Sequence, residues 1–152
     1  MKHYFKILLI VLCLCQNNLL KAQTPSKKEI IGCTANVRIK NGDIDFLGRV
    51  DTGAETTSIN AENIKAIGDS VRFTIINQRG KKTTLTAKII EERTVKNAEA
   101  AEKRYFVYLT ISYLNVSKIT LVNLNNRSNS TYKILLGRNW LSGSYLVDVD
   151  ID

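Results

Sequence analysis

The stretch Val50-Asp51-Thr52-Gly53-Ala54 decides how this chain of 152 residues reads. Taken alone, Asp51-Thr52-Gly53 is consistent with an ordinary turn, because Asp and Gly are residues a chain uses to reverse direction. Its surroundings narrow the choice. Val37-Arg38-Ile39-Lys40, then Asn41-Gly42, then Asp43-Ile44-Asp45-Phe46 predict a hairpin that feeds directly into Asp51, with Asn-Gly supplying the positive φ values of a type I′ turn. Downstream, short alternating runs predict strands over residues 71–77, 83–92, 104–113, 118–124, 132–136 and 145–151. Two short helices are expected. One covers residues 60–67, with Asn60 as N-cap and Gly68 as stop; the other covers 138–142 and closes at Gly143. The expected fold class is all-β, a barrel or sandwich.

Far along the chain stands a second segment, Ile134-Leu135-Leu136-Gly137-Arg138-Asn139. By itself it reads as a buried strand ending at a glycine. Together, in this order, the two segments resemble the signature of retropepsin-like aspartic peptidases, in which a hydrophobic-hydrophobic-Gly-Arg-Asn strand end lies beside an Asp-Thr-Gly loop. The likeness is closer to a bacterial branch long labelled "ATP-dependent zinc proteases". It runs from Ile30-Ile31-Gly32 through Asp51-Thr52-Gly53-Ala54, Arg93-Thr94-Val95-Lys96-Asn97, Leu124-Asn125-Asn126-Arg127 and Leu136-Gly137-Arg138 to Leu146-Val147-Asp148. There are departures. Cys33 stands where the branch usually has a Trp, and Ala98-Glu99-Ala100 replaces a Ser/Gly-rich tip.

The resemblance implies a single-lobe acid-protease β-barrel with one or two short helices, acting on a peptide or protein substrate. The chemistry needs two carboxylates in contact, one ionised to activate a water and one protonated to hydrogen-bond the scissile carbonyl. A chain this short with one Asp-Thr-Gly fits the arrangement in which each subunit of a homodimer donates one loop. Such a pair shares a proton and titrates as a unit, so activity is expected to lean acid. By resemblance, Asp51 is the catalytic carboxylate, Thr52 hydrogen-bonds across the two-fold axis, and Gly53 allows close approach with an unusual φ. Ala54 and Glu55 line the substrate strand. Gly137 and Arg138 support the loop, with Arg138 pairing with Glu55. A catalytically silent peptide- or envelope-binding domain on the same fold is the alternative.

Neither zinc nor ATP finds support in the residues. A catalytic zinc wants about three His, Glu or Cys ligands, and the one histidine, His3, lies in a segment expected to be removed. No His-Glu-x-x-His and no phosphate-binding loop is present. No cofactor or metal is therefore expected.

Residues 1–22 read as a signal peptide: Lys2 and Lys6, an apolar run from Ile7 to Cys15, and a cut after Ala22. The run is short for a bilayer span, although an uncleaved anchor is the alternative. Cys13 and Cys15 each follow a leucine, which disfavours a lipoprotein signal. Residues 23–29 form a polar lead and 30–152 the peptidase-like domain, placed by this reading in the periplasm or outside the cell, with no stable membrane span after cleavage. Losing Lys2, Lys6 and Lys21 takes the formal charge from +8 to +5. The remaining basic residues are dispersed, which favours acidic peptides or an anionic envelope over nucleic acid. Cys33 is then the one cysteine, read as a small buried hydrophobe rather than a reactive thiol.

Two turns compete as the flap that closes over substrate: residues 94–103 and the turn Gln78-Arg79-Gly80-Lys81. The strict alternation of Val147-Asp148-Val149-Asp150-Ile151-Asp152 suits either a dimer sheet or a protected edge strand.

Overall fold

The fold is seen in a computed structural model that describes residues 27–96 and 101–152. The elements are β1 (Glu29–Ile31), β2 (Thr34–Ile39), β3 (Ile44–Val50), β4 (Thr57–Ile67), β5 (Ser70–Ile76), β6 (Lys82–Lys88), β7 (Glu91–Lys96), β8 (Ala101–Tyr113), β9 (Val116–Asn125), β10 (Ile134–Leu136), α1 (Arg138–Leu141) and β11 (Tyr145–Val147). The all-β expectation holds. A closed six-stranded barrel runs β3-β2-β8-β9-β4-β10, and β10 shuts it by pairing parallel with β3 and antiparallel with β4. Closure removes the free edges that an open sheet would expose. Beyond the ring, β5 and β6 extend from β4, β7 pairs with β8, and β1 pairs parallel with β11 as a separate ribbon.

Alternation explains the barrel wall. Val37, Ile39, Ile44 and Phe46 point inward from β2 and β3 and are almost fully buried, while Asn36 and Asp45 point out. They meet Val107, Leu109 and Ile111 of β8, Val122 and Leu124 of β9, and Ile134 and Leu136 of β10. Fully burying each such side chain contributes roughly 1.5–3 kcal/mol. Trp140 of α1, with no exposed surface, plugs the lower end, stacked on Tyr145 at 4.6 Å and edge-on to Tyr113.

Four local expectations need correction. The hairpin before Asp51 forms, but not through a type I′ turn: residues 40–42 make a single 3₁₀ turn and the positive φ falls on Asp43. Asn41 instead turns its Oδ1 toward β8, where it accepts the Thr110 N–H at 2.7 Å. The helix at 60–67 is the second half of β4. Asn60 does not cap; its Oδ1 accepts the Arg127 N–H and its Nδ2 donates to the Ile76 carbonyl. Asn63, at φ 53°, forms an irregularity between Glu62 and Lys65 where the β4–β5 register shifts. Pairing with β5 and β9 therefore overrides a local helix pattern.

The run 83–92 is broken at Ile89-Ile90 into β6 and β7. The last strand stops at Val147, because the chain then folds back: Asp148 N–H donates to Ile31, Asp150 N–H to the Asp148 carboxylate, and Cys33 N–H to Ile151. Gly32 makes this possible, since a Cβ there would collide with the Ile151 carbonyl. The expected signal peptide and the residue 97–100 tip lie outside the described residues. Among the described residues no helix is long and apolar enough to cross a membrane.

Candidate active site

Asp51 emerges where β3 ends, and the barrel closure fixes it. Its N–H donates to the Leu136 carbonyl at 3.0 Å, so the first residue of the loop is clamped to the end of β10. The chain then turns so that the N–H groups of Gly53 and Ala54 both donate to Asp51 Oδ1, at 3.0 and 3.1 Å. Among the described residues no donor reaches Oδ2. The carboxylate is thus oriented through one oxygen while the other is left to the open side, where Thr52 and Gly53 are exposed.

Gly53 departs from expectation: its φ is not positive. A Cβ there would lie 3.2 Å from Asp51 Oδ1, tighter than ordinary contact, so glycine relieves crowding against the oxygen that the two amides hold.

Gly137 and Arg138 come up beneath this loop. A Cβ on Gly137 would sit 2.7 Å from the Thr56 carbonyl carbon and 2.8 Å from the Thr57 nitrogen, so only glycine allows the two backbones to touch. Arg138 N–H donates to Ala54 and Asn139 N–H to Glu55. The Arg138 side chain does not pair with Glu55. Its Nη1 donates to the carbonyls of Thr52 and Gly53, at 3.0 and 2.8 Å, because the loop turns those oxygens toward α1 and sends the Glu55 side chain to solvent. Glu55 instead lies in the field of Arg93 on β7.

A web of polar groups lies beneath the loop, with Thr57, Ser58 and Asn123 buried and Asn139 exposed, and sequence reasoning passed over most of it. Asn139 Oδ1 accepts both the N–H and the hydroxyl of Thr57, each at 2.9 Å, and Thr57 Oγ1 accepts the Gly137 N–H at 3.1 Å. Ser58 donates to Asn123 Oδ1 and Asn123 Nδ2 donates back to the Thr57 carbonyl. Buried groups of this kind cost energy unless every one is paired, so the web fixes one geometry. Asn123 carried no signal because it belongs to neither of the two motif segments.

The two flap candidates separate in space. The turn at 78–81 is tied to the start of β3, where Asn77 Nδ2 donates to Asp45 and Lys81 Nζ to Asp43, about 20 Å of strand from Asp51. The β7–β8 hairpin lies toward the Asp51 loop: its Arg93, paired with Glu91 at 2.5 Å and stacked 4.5 Å over Phe106, feels the charge of Glu55. Arg127, half-buried on the loop before β10, donates Nε to the Tyr132 carbonyl. Burial lowers its pKa from the usual arginine value while the charge of nearby Asp51 opposes that shift. Among the described residues no three His, Cys, Asp or Glu side chains converge as metal ligands.

Residues 30–151 match the model of a family described as "RimB-like: Retropepsin-like aspartic endopeptidase RimB". Two curated relatives, each named "Probable alpha-L-glutamate ligase", come from Shewanella pealeana and Shewanella halifaxensis. They are 34% and 35% identical over 108 residues, which is 66% of this chain and 24% of each relative. The chain therefore spans about a quarter of the length of the curated relatives it matches. The crystal structure of a Legionella pneumophila protein of unknown function superposes with a TM-score of 0.71 at 26% identity, covering 82% of this chain and 96% of that one.

Proposed function

The chain belongs to the RimB-like family of retropepsin-like aspartic endopeptidases, and on that premise we propose that it hydrolyses peptide bonds at an active site completed between two copies, one Asp51 loop from each. The observation that carries this reading is the Asp51 carboxylate itself, oriented by two backbone amides through Oδ1 and open at Oδ2. One ionised carboxylate of the pair takes a proton from the attacking water, and the other, protonated, donates to the scissile carbonyl oxygen. A single loop holds one of the two groups. The second copy would supply the other, and the exposure of Thr52 beside Asp51 leaves room for it.

Surface chemistry supports the dimer. Ile30, Leu146, Val149 and Ile151 are 60%, 55%, 75% and 46% exposed on the β1–β11 ribbon and the tail after it. A groove of about 450 Å³ joins that ribbon to the catalytic loop, lined by Thr52, Arg138, Leu141, Tyr145 and Val147. Apolar surface of this kind beside an incomplete site suits a two-fold partner. The substrate strand would lie between the loop and the β7–β8 hairpin. Arg127, close enough to Asp51 to feel its charge, favours acidic peptides, in keeping with the glutamate ligase name of the relatives, whereas Arg93 is already paired with Glu91. Residues 1–22 would direct export.

The test is turnover. The purified protein should cleave an unfolded substrate at mildly acid pH, lose that activity to pepstatin-like inhibitors, and sediment as a dimer when active. A monomer with full activity would sink the shared-site reading; peptide binding without turnover would leave the silent binding domain.

A further inference from the structure

A helix of one turn has no stability of its own, since nucleation fixes several residues for a single hydrogen bond. α1 is such a helix, four residues long, yet it carries Arg138, whose Nη1 holds the Thr52 and Gly53 carbonyls of the catalytic loop. Its position must come from outside. Part of it comes from Trp140, fully buried, and from Asn139, whose Nδ2 donates to the Leu121 carbonyl of β9 at 2.7 Å.

The N-terminal end of α1 is held by the Ala54 and Glu55 carbonyls and by Thr57; its C-terminal end is held by a residue that no sequence motif marks. Lys118 stands on β9 opposite Ile111 of β8, on the inward-facing set with Thr120 and Val122. Its ammonium runs to the far end of α1 and donates to the Trp140 carbonyl and, at 2.8 Å, to the Ser142 carbonyl. The last carbonyls of a helix lack partners within it and carry partial negative charge, which a cation satisfies in both respects. Burial pulls the Lys118 pKa below the usual lysine value, as for a cation placed where water is scarce.

We propose that Lys118 is a positioning residue for the catalytic loop: by anchoring the C-terminal end of α1 to the barrel wall, it sets where Arg138 holds Thr52 and Gly53. This rests on the peptidase reading above. The chain of contacts is short and continuous, from Lys118 through the Trp140 and Ser142 carbonyls along one helical turn to Arg138 and the residues after Asp51. A small displacement of α1 would tilt the loop that orients the Asp51 carboxylate, and misplacement on the order of 1 Å costs about 10²-fold in rate.

Lys118→Met keeps the length of the side chain and removes its charge; Lys118→Arg keeps the charge. Two readouts separate positioning from folding. The first is steady-state kinetics, with active sites counted by a tight-binding pepstatin-like inhibitor. The second is acrylamide quenching of Trp140, the one tryptophan of the chain. Lys118→Met is expected to lower kcat per active site by about tenfold or more, with KM changed by less than about twofold, and to raise the quenching of Trp140. Lys118→Arg is expected to bring kcat back to within about threefold of wild type. Wild-type kcat in Lys118→Met, or a loss accounted for wholly by fewer active sites, overturns the proposal. If the wild-type protein shows no turnover, the peptidase reading fails, and the anchoring of α1 is decided by quenching alone: unchanged quenching in Lys118→Met overturns it.

Discussion

At the start of β3, Asp43 and Asp45 share the guanidinium of Arg38, with nitrogen–oxygen distances of 2.5 and 2.9 Å; at its end, Asp51 has two backbone amides and, among the described residues, no ion pair. The hydrogen bond and charge of Arg38 hold the Asp43 carboxyl below the usual carboxylate range. That end is solvated, its charges are mutually satisfied, and it has nothing left to offer a substrate. At the other end the carboxylate is oriented by dipoles and leaves an oxygen free. The difference lies in what the arginine does. Arg38 takes carboxylates, whereas Arg138, beneath the Asp51 loop, takes carbonyls, and so fixes the loop without neutralising Asp51.

The sharpest way to break this comparison is to remove the free carboxylate. Asp51→Asn is nearly isosteric and keeps the two amide contacts possible, but it cannot cycle a proton. Turnover should fall by about 10²-fold or more with the β-sheet signal unchanged. Turnover equal to wild type would show that both ends of β3 are merely structural.

Next in size is the support beneath the loop. Gly137→Ala inserts a methyl 2.7 Å from the Thr56 carbonyl carbon. Backbone must shift to admit it, at about 1–3 kcal/mol of stability, measured by denaturant unfolding, and activity should fall further than stability accounts for. A neutral Gly137→Ala would mean the loop and α1 are not pressed together.

Arg138 offers a finer distinction. A pair with Glu55, which the resemblance implied, would use the planar fork of the guanidinium, which lysine cannot reproduce. In the structure one nitrogen, Nη1, makes both bonds to the loop, and an ammonium carries enough donors to do the same. Arg138→Met should therefore destabilise by about 1 kcal/mol, the side chain being exposed, and Arg138→Lys by less. Equal losses in the two variants, read by thermal melting, would return the fork to importance.

The smallest effect belongs to the far end of β3. Asp43 has a lowered pKa in the folded chain, so its contribution is present above its ordinary value of 3.8 and is lost as pH falls through the lower folded value. Arg38→Ala should flatten the acid side of the melting-temperature profile below about pH 4. The shift should be small and should fade with salt, since the group is fully solvated. An effect as large as that of Gly137→Ala would contradict the contrast between the two ends.

Much of the site was legible because its chemistry is local. Asp51, Thr52, Gly53, Gly137 and Arg138 stand in two short segments whose residue types are hard to exchange: a carboxylate, a glycine at a backbone contact, and a cation under carbonyls. What stayed hidden is what depends on distant partners. Asn60 looks like a helix cap until the Arg127 amide and the Ile76 carbonyl claim its side chain. The alternation from Val147 to Ile151 looks like a strand until Gly32 lets the tail fold across it. Glu55 and Arg138 are of opposite charge and close in the motif, yet the turn of the loop points them apart.

By itself, the sequence determined that the chain is all-β, that a strand delivers Asp51 into a tight loop, and that a glycine-arginine strand end accompanies it, because alternation and turn chemistry act over a few residues. Only the tertiary structure decided that β10 closes the barrel between β3 and β4, that Arg138 holds carbonyls rather than Glu55, that the turn at 78–81 is tied to the start of β3 away from Asp51, and that Lys118 reaches α1. Each of these depends on which backbone groups the closed sheet leaves without a partner, and residues far apart in the chain satisfy them. Buried backbone N–H and C=O groups are nearly all paired somewhere, and pattern along a single strand cannot say where.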